Sequence, residues 1–524
     1  MTTSLAALAR DFLGLHRTDP VLTLGGGHDA AQRVYLDTAA TALMPRAVFA
    51  GMQSYLEAAP ANSHTDAHRA ARDTTLAIEE SRDAIGRLVG YVPGEDAVLF
   101  TGSGATAAIN LLARMLFPPE LRAAIKRFAD GAPEAFVSAL RGTLGDRERA
   151  ALDEMLARPL VVTTLMEHHS NLLPWVEAVG RHNLRVVDTD PVTGTLCMDQ
   201  LARILELEGD RVRLVTATGV SNVTGIVNPA REIARLTHRA GAEVMIDGAQ
   251  WVPHCEVRLH GASPRERIDY LVLSGHKLYA PGSCGVLIGK RSSIACRPCA
   301  ADLGGGIVDY VSIDEFTLKS DVAARVEAGT PNIPGTIALG LAAELVMDVG
   351  MQAIGAAEAE LSRCLLEQLC AIDGVTVYGA LDPAHEARAG VVAFNVDGLN
   401  HALVATYLDH FHNVAVRDGC FCAQPYVTSL LALDALARRD ARESITHGEP
   451  RAIPGMVRAS LGVYSTLRDV AALASALRTL LANRDAVRSR YQAHGGRFAA
   501  CGTEPIPRAF SVAGTWARAQ RGGA

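Results

Sequence analysis

The chain has 524 residues, 49% apolar and 20% charged, a globular composition long enough for more than one ordinary domain and a large core. A formal net charge of -7 gives no basic surface for nucleic acid, and without a run of about 18 apolar residues no membrane span is expected. The first ten residues lack the basic start and long apolar stretch of an export signal, so a cytoplasmic location is the default.

Residues 1–34 read as a short amphipathic helix and a Gly-rich connection, Leu24-Gly-Gly-Gly27, an N-terminal segment contributing to the smaller of two domains. A large domain, 35–335, would follow. Helices are expected around 46–58 and 70–90, the second from Leu76, Ile78, Ile85, Leu88 and Val89 at helical spacing. A strand at 97–100 then feeds Thr101-Gly-Ser-Gly-Ala-Thr106 and a helix carrying Ile109, Leu111, Leu112 and Met115. Glycines and small hydroxyl residues between a strand and a helix expose backbone N–H groups at the positive helix end, which suits a phosphate. Taken alone, the motif signals no more than a tight turn.

Residues 118–159 interrupt the pattern as a helical insert on the outer surface. Leu121, Ile125 and Phe128 share one face there, and Leu152, Met155 and Leu156 another. The sheet resumes at 161–164, which delivers Glu167-His-His-Ser-Asn171, and a strand at 212–216 delivers Ser221-Asn-Val-Thr-Gly225. Polar clusters that each follow a strand mark an α/β fold, a mostly parallel doubly wound sheet with its ligand at the strand carboxyl ends.

The next two strand ends carry the chemistry. The run 242–246 ends in Asp247-Gly-Ala-Gln250, and 271–273 ends in Ser274, His276 and Lys277, so a carboxylate and an amine leave neighbouring strand ends towards one crevice. Pyridoxal phosphate needs that pair: its aldehyde condenses with a lysine amine, and a carboxylate keeps its ring nitrogen protonated. Either residue alone reads as a surface lysine or a helix-capping aspartate; together they favour the cofactor.

A long helix at 336–348 leads into a smaller α+β domain, 336–492, with strands near 376–378 and 390–395 and helices at 400–411, 466–482 and 484–492. The tail, 493–524, is rich in Gly, Arg, Ala and Pro and is expected to be loosely held. Ten cysteines are too sparse for a disulfide scaffold. The pairs Cys296-Arg-Pro-Cys299 and Cys420-Phe-Cys422 are poorly spaced for structural zinc, so no metal site is expected.

Eight motifs follow one another along the chain: Tyr35-Leu-Asp-Thr-Ala-Ala40, Glu167-His-His-Ser-Asn171, Val220-Ser-Asn-Val-Thr-Gly225, Asp247-Gly-Ala-Gln250, Ser274-Gly-His-Lys277, Glu327-Ala-Gly-Thr-Pro-Asn332, Arg417-Asp-Gly-Cys-Phe-Cys-Ala-Gln-Pro425 and Arg458-Ala-Ser-Leu461. In them, over residues 34–485, the chain resembles the class V (fold type I) pyridoxal-phosphate enzymes, within them the cysteine desulfurase and selenocysteine lyase group. The resemblance implies a large domain built on a seven-stranded-type sheet and a homodimer with sites at the subunit interface. It implies that Lys277 carries the cofactor, Asp247 pairs with the ring nitrogen, His168 stacks on the ring and Gln250 bonds its phenolic oxygen. Ala105, Thr106, Ser274 and His276 would hold the phosphate, with Thr330 reaching over from a second subunit. Asn222 would lie near the substrate carboxylate and Arg458 would grip it, a bidentate task suited to guanidinium. Cys422 matches the nucleophilic cysteine, which takes the substrate sulfur as a persulfide.

The chain departs from the family pattern at two places. Cys420 and Phe421 stand where many members carry histidines, and Gly-Cys-Phe-Cys is similar to the desulfurase-like domain of molybdenum-cofactor sulfurases. A charged, helix-like excursion fills 433–455. The expected activity is removal of sulfur or selenium from an L-cysteine-type substrate through a Cys422 persulfide, giving L-alanine and serving a sulfur-acceptor protein. A class V aminotransferase, an epimerase or a β-eliminating C–S lyase would use Lys277 without Cys422. A non-catalytic scaffold would have no use for Lys277, Asp247, His168 and Arg458 together.

Overall fold

The computed structural model describes residues 4–25, 27–63, 65–118, 134–296, 302–379, 387–447, 454–494, 497–501 and 509–520. At its centre is a seven-stranded sheet in the order Asp96–Thr101, Gly285–Lys290, Tyr270–Ser274, Glu243–Asp247, Val212–Thr218, Leu160–Thr164, Leu184–Val187. Gly285–Lys290 is antiparallel to both neighbours, and the remaining pairs are parallel. The strands Leu160–Thr164, Val212–Thr218 and Tyr270–Ser274 are buried along their whole length, so they read as unbroken apolar runs rather than alternating ones.

Side chains alternate between two helical layers. Val98, Phe100, Ile246, Leu273 and Ile288 share a core with Arg69–Leu88, Ala230–Arg239 and Ile333–Val349. Ala97, Leu99, Met245, Val272 and Leu287 share another with Gly104–Leu116, Leu173–Val179 and Asp146–Ala157. Leu152 and Met155 of the insert are therefore core residues, each 1% exposed, whereas Leu156 is 37% exposed. Leu76, expected on a buried face, is 60% exposed, because the buried face of that helix runs through Ala71, Thr74, Ile78, Ile85 and Leu88. Leu121, Ile125, Phe128 and Cys299 lie outside the described residues.

The antiparallel strand had no clear signal in the sequence, because glycines bracket its apolar run. A Cβ on Gly285 would lie 2.0 Å from the carbonyl oxygen of Gly104, a close backbone approach that only glycine permits. Its register places Thr101 and Ser274 on either side of Gly285. The turn after Asp96–Thr101 and the turn that carries Lys277 thereby become neighbours.

A second, four-stranded antiparallel sheet runs Val375–Val377, Val391–Val396, Met456–Ser460, Arg417–Gly419. Phe394, Val457 and Ala459 pack on Met351–Cys370, His401–His412 and Leu467–Ala482. Ala393 and Met456 pack instead with Phe421, Tyr426, Met166 and Val223, so this sheet touches the strand-end loops of the large one.

The two ends of the chain add local structure that was not expected. The N-terminal helix is confined to Leu5–Leu8, and Thr18–Leu22 pairs with His28–Gln32 as an antiparallel hairpin. Its Asp, His and Gln are poor strand formers, so the pairing is a tertiary effect, with Leu22 in the core of the second sheet. The last helix ends at Ser489, because buried Tyr491 opens a strand, Tyr491–His494, that pairs with Arg497–Ala500. The described part of the tail also holds a helix, Val512–Gln520. The excursion contains the helix Ala435–Thr446. Among the described residues no single helix is both long and apolar enough to cross a membrane.

Candidate active site

A cavity of about 230 Å³ opens at the carboxyl ends of the large sheet, between it and the second sheet. Of the residues nominated from sequence, all but Thr330 line it. The Thr330 hydroxyl accepts from Asn62 Nδ2 at 3.3 Å, in an adjoining cavity that shares Ser103.

Asp247 ends one central strand and Lys277 sits in the turn after its neighbour, as register dictates. Burial pulls the Lys277 amine down from 10.5 to about 8; the Asp247 charge works against this and the Arg458 charge with it. Burial pushes the Asp247 carboxyl up, opposed by a hydrogen bond from the Ala249 N–H and by the Lys277 charge. The pair thus combines an amine that loses its proton near neutrality with a carboxylate, 4% exposed, that lacks a full counter-charge.

His168 is held neutral, its pKa drawn down to about 3 by burial and then by the Lys277 charge. Its Nδ1 accepts from the Ser170 N–H at 3.1 Å, which places the ring proton on Nε2. Beneath it Glu167 is 1% exposed, and burial carries its pKa to about 8 despite hydrogen bonds from Thr164 Oγ1, Asn171 Nδ2 and the Thr218 N–H.

Residues 103–106 open the helix Gly104–Leu116 towards the cavity, with two hydroxyls already oriented. Ser274 Oγ accepts from the Ala105 N–H at 2.8 Å, and Thr106 Oγ1 meets Ser170 Oγ at 2.6 Å. His276 is neutral too, drawn down to about 4 by burial and then by Lys277. The helix end, the hydroxyls and the absence of a carboxylate among these contacts suit a phosphate.

Across the cavity Arg458, 3% exposed, donates from Nη1 to the Asn222 carbonyl at 3.0 Å and from Nη2 to Asp37 Oδ1 at 3.3 Å. Among the described residues its Nε has no partner, and neither does Oε1 of buried Gln250. Buried groups left without partners are costly, so both mark places where a bound molecule completes the site. Gln250 Nε2 is engaged by the Ala39 carbonyl, and Asn222 Nδ2 by the Phe421 carbonyl at 2.8 Å. Asn222 therefore braces both Arg458 and the Cys422 loop.

That loop is a tight turn in which the Ala423 N–H donates to the Cys420 carbonyl at 2.8 Å. Phe421 and Cys422 have φ of 52° and 55°, left-handed backbone that non-glycine residues adopt at a cost of about 1–3 kcal/mol each. The turn persists because it is tied down: the Cys422 carbonyl accepts from the His169 N–H at 2.5 Å, and the Gln424 N–H donates to His169 Nε2 at 3.2 Å. The Arg458 guanidinium lies 4.9 Å over the Phe421 ring. Cys422 itself is exposed to the cavity.

The sequence did not single out Asp37, Glu167 or Ser170, although each stands inside a motif, and it marked Phe421 only as a departure from the family pattern. Arg417 lines the cavity as well and pairs with Asp37 at 3.6 Å.

The fold and this set of residues are those of a fold type I pyridoxal-phosphate enzyme. Residues 34–126 and 149–473 match the family Aminotransferase class-V, the gap falling within the insert, and the chain belongs to that family. It is 32% identical over 449 residues to a cysteine desulfurase of Enterobacter sp. (strain 638), covering 85% of this chain and 93% of the relative. It is 34% identical over 453 residues to a cysteine desulfurase of Dickeya dadantii, covering 84% and 90%. An apo cysteine desulfurase from Thermococcus onnurineus NA1 superposes with a TM-score of 0.68 at 28% identity, covering 86% of this chain and 95% of that one. The cysteine desulfurase CsdA of Escherichia coli, in its S-sulfonic acid form, gives 0.65 at 27%, with the same coverage. Within the family the chain groups with the cysteine desulfurases, and the readings that dispense with Cys422 are not favoured.

Proposed function

We propose that this protein is a cysteine desulfurase that takes sulfur from an L-cysteine-type amino acid as a Cys422 persulfide and releases L-alanine. The observation that carries the reading is the convergence of Lys277, Asp247, Arg458 and Cys422 on one cavity. Pyridoxal phosphate fits there: Lys277 would bind it, Asp247 would face its ring nitrogen, His168 its ring, and Ser274, Thr106, His276 and the Ala105 segment its phosphate. Bound, it supplies an electron sink for charge that develops at the substrate α-carbon.

The chain's residues do the rest. Arg458, with its unpartnered Nε, holds the substrate carboxylate and thereby fixes the α-carbon over Lys277. The Lys277 amine, drawn down to about 8, is neutral often enough near neutral pH to take the α-proton. Cys422 Sγ, held in the strained turn, attacks the substrate sulfur; the carbon–sulfur bond breaks, and the sulfur stays on Cys422. The same reading carries an acceptor protein that collects this sulfur, and a homodimer in which Thr330 serves the neighbouring subunit's site.

The test is release of sulfide and alanine from L-cysteine in the presence of a reductant, beside the Cys422→Ala variant. Equal amounts of both products, lost in the variant, are expected. Alanine-free turnover, or sulfide release that survives Cys422→Ala, overturns the reading.

A further inference from the structure

Cys420 is left over by this chemistry. It does not line the cavity, yet it occupies the first position of the turn whose third position is Cys422. Positive φ at both central residues and a closing Cys420 carbonyl to Ala423 N–H bond define the mirror-image turn ordinarily made by Asn and Gly. Left-handed backbone at Phe421 coils the chain as a helical residue does, which puts the first and third α-carbons about 5.4 Å apart, inside the roughly 4.4–6.8 Å spacing of a disulfide. Asn222, His169 and the Arg458–Phe421 contact hold the turn, so the two cysteines sit on a fixed frame, Cys420 against the Met166 and Tyr426 cluster and Cys422 at the cavity.

We propose that Cys420 is a resolving cysteine, which attacks the Cys422 persulfide and converts it to an intramolecular Cys420–Cys422 disulfide. The proposal rests on the Cys422 persulfide put forward above. The Cys420 thiol sulfur bonds to the Cys422 sulfur, the bond from Cys422 to the sulfane sulfur breaks, and the outer sulfur leaves as hydrogen sulfide with the Cys420 proton. The outer sulfur is reduced and the Cys420 sulfur is oxidised, while the Cys422 sulfur keeps the level it had in the persulfide. A dithiol reductant, itself oxidised to a disulfide, restores both thiols. In the absence of an acceptor the persulfide does not persist, and the enzyme stops after one turnover until it is reduced. Both cysteines are free thiols in the resting chain, as this cycle requires. Burial raises the Cys420 thiol and the nearby Cys422 charge adds to this, while the backbone N–H groups oppose it.

The test is a single pulse of L-cysteine on the pyridoxal-phosphate-loaded enzyme, without reductant or acceptor, followed by alkylation and mass spectrometry of the peptide spanning 417–425. The wild type is expected to release one sulfide per alanine and to yield a peptide two hydrogens lighter, with neither cysteine alkylated. Cys420→Ser and Cys420→Ala are expected to form alanine in that pulse, to lose sulfide release, and to carry one extra sulfur on Cys422. A wild type that keeps the extra sulfur as the variants do overturns the resolving role while leaving the desulfurase reading intact. Sulfide release that survives Cys422→Ser overturns the underlying reading instead. An added dithiol restores turnover to the wild type if the disulfide is the resting product; turnover that continues unaided counts against it.

Discussion

Lys277 shows how one residue's surroundings set its chemistry. Its amine titrates at about 8 in the folded chain against 10.5 when free, so between those pH values the unfolded chain holds more protons. Stability of the cofactor-free protein should therefore rise with pH across that window, by up to about 1.4 kcal/mol per unit from this group. Urea unfolding at pH 8 and pH 10, compared with Lys277→Met, reads this directly; parallel profiles for the two proteins would contradict it. Arg458 is tested by Lys, which keeps the charge and loses the fork. A charged hydrogen bond is worth about 1.5–3 kcal/mol, so Arg458→Lys should lower kcat/KM for L-cysteine by about 10- to 100-fold. The residues that hold Arg458 could not be assigned from sequence. Asp37 and the Asn222 carbonyl come from distant stretches and only the folded chain brings them together.

At the scale of elements, the strand-to-helix turn at 101–106 and the inserted helix make opposite points. Gly104 has φ of 58°, and a Cβ there would lie 2.8 Å from Ser274 Oγ, the atom that accepts from the Ala105 N–H. Gly104→Ala should cost about 1–2 kcal/mol in backbone strain and loosen retention of pyridoxal phosphate, measured by melting temperature and by absorbance after dialysis. The turn was legible as a phosphate cradle because glycine and hydroxyl residues between a strand and a helix have a local cause. The insert was legible as helix but not as core. Met155→Ala should cost about 2–4 kcal/mol in urea unfolding, as a deletion inside a packed layer does, whereas Phe136→Ala, at a side chain 37% exposed, should cost less than about 1 kcal/mol. Equal effects would mean that the helix Asp146–Ala157 sits on the surface.

Over the whole molecule the site depends on how the two sheets meet. Gly225, with φ of 75°, turns the chain back from the large sheet, and a Cβ there would lie 2.6 Å from the Ala389 carbonyl oxygen and 2.7 Å from that of Val391. This contact sets the distance between Asn222 on one side and Arg458 with Phe421 on the other. Gly225→Ala should therefore reduce kcat/KM for L-cysteine while the protein stays yellow, since Asp247 and Ser274 belong to the large sheet and Lys277 to the turn that follows it. Loss of cofactor and activity together would place the effect in the large sheet instead.

The sequence by itself determined the parallel sheet, the strand ends that carry Asp247 and Lys277, and the turn that suits a phosphate. These follow from apolar runs and from residue types whose preference is local. Only the tertiary structure decided the antiparallel strand Gly285–Lys290, the N-terminal hairpin, the braces around Arg458 and the left-handed turn at Cys422. Each of these is held by contacts between residues far apart in the chain, and such contacts leave no local pattern: glycine at 285 answers to a carbonyl at 104, and the strained backbone at 421 and 422 to Asn222 and His169.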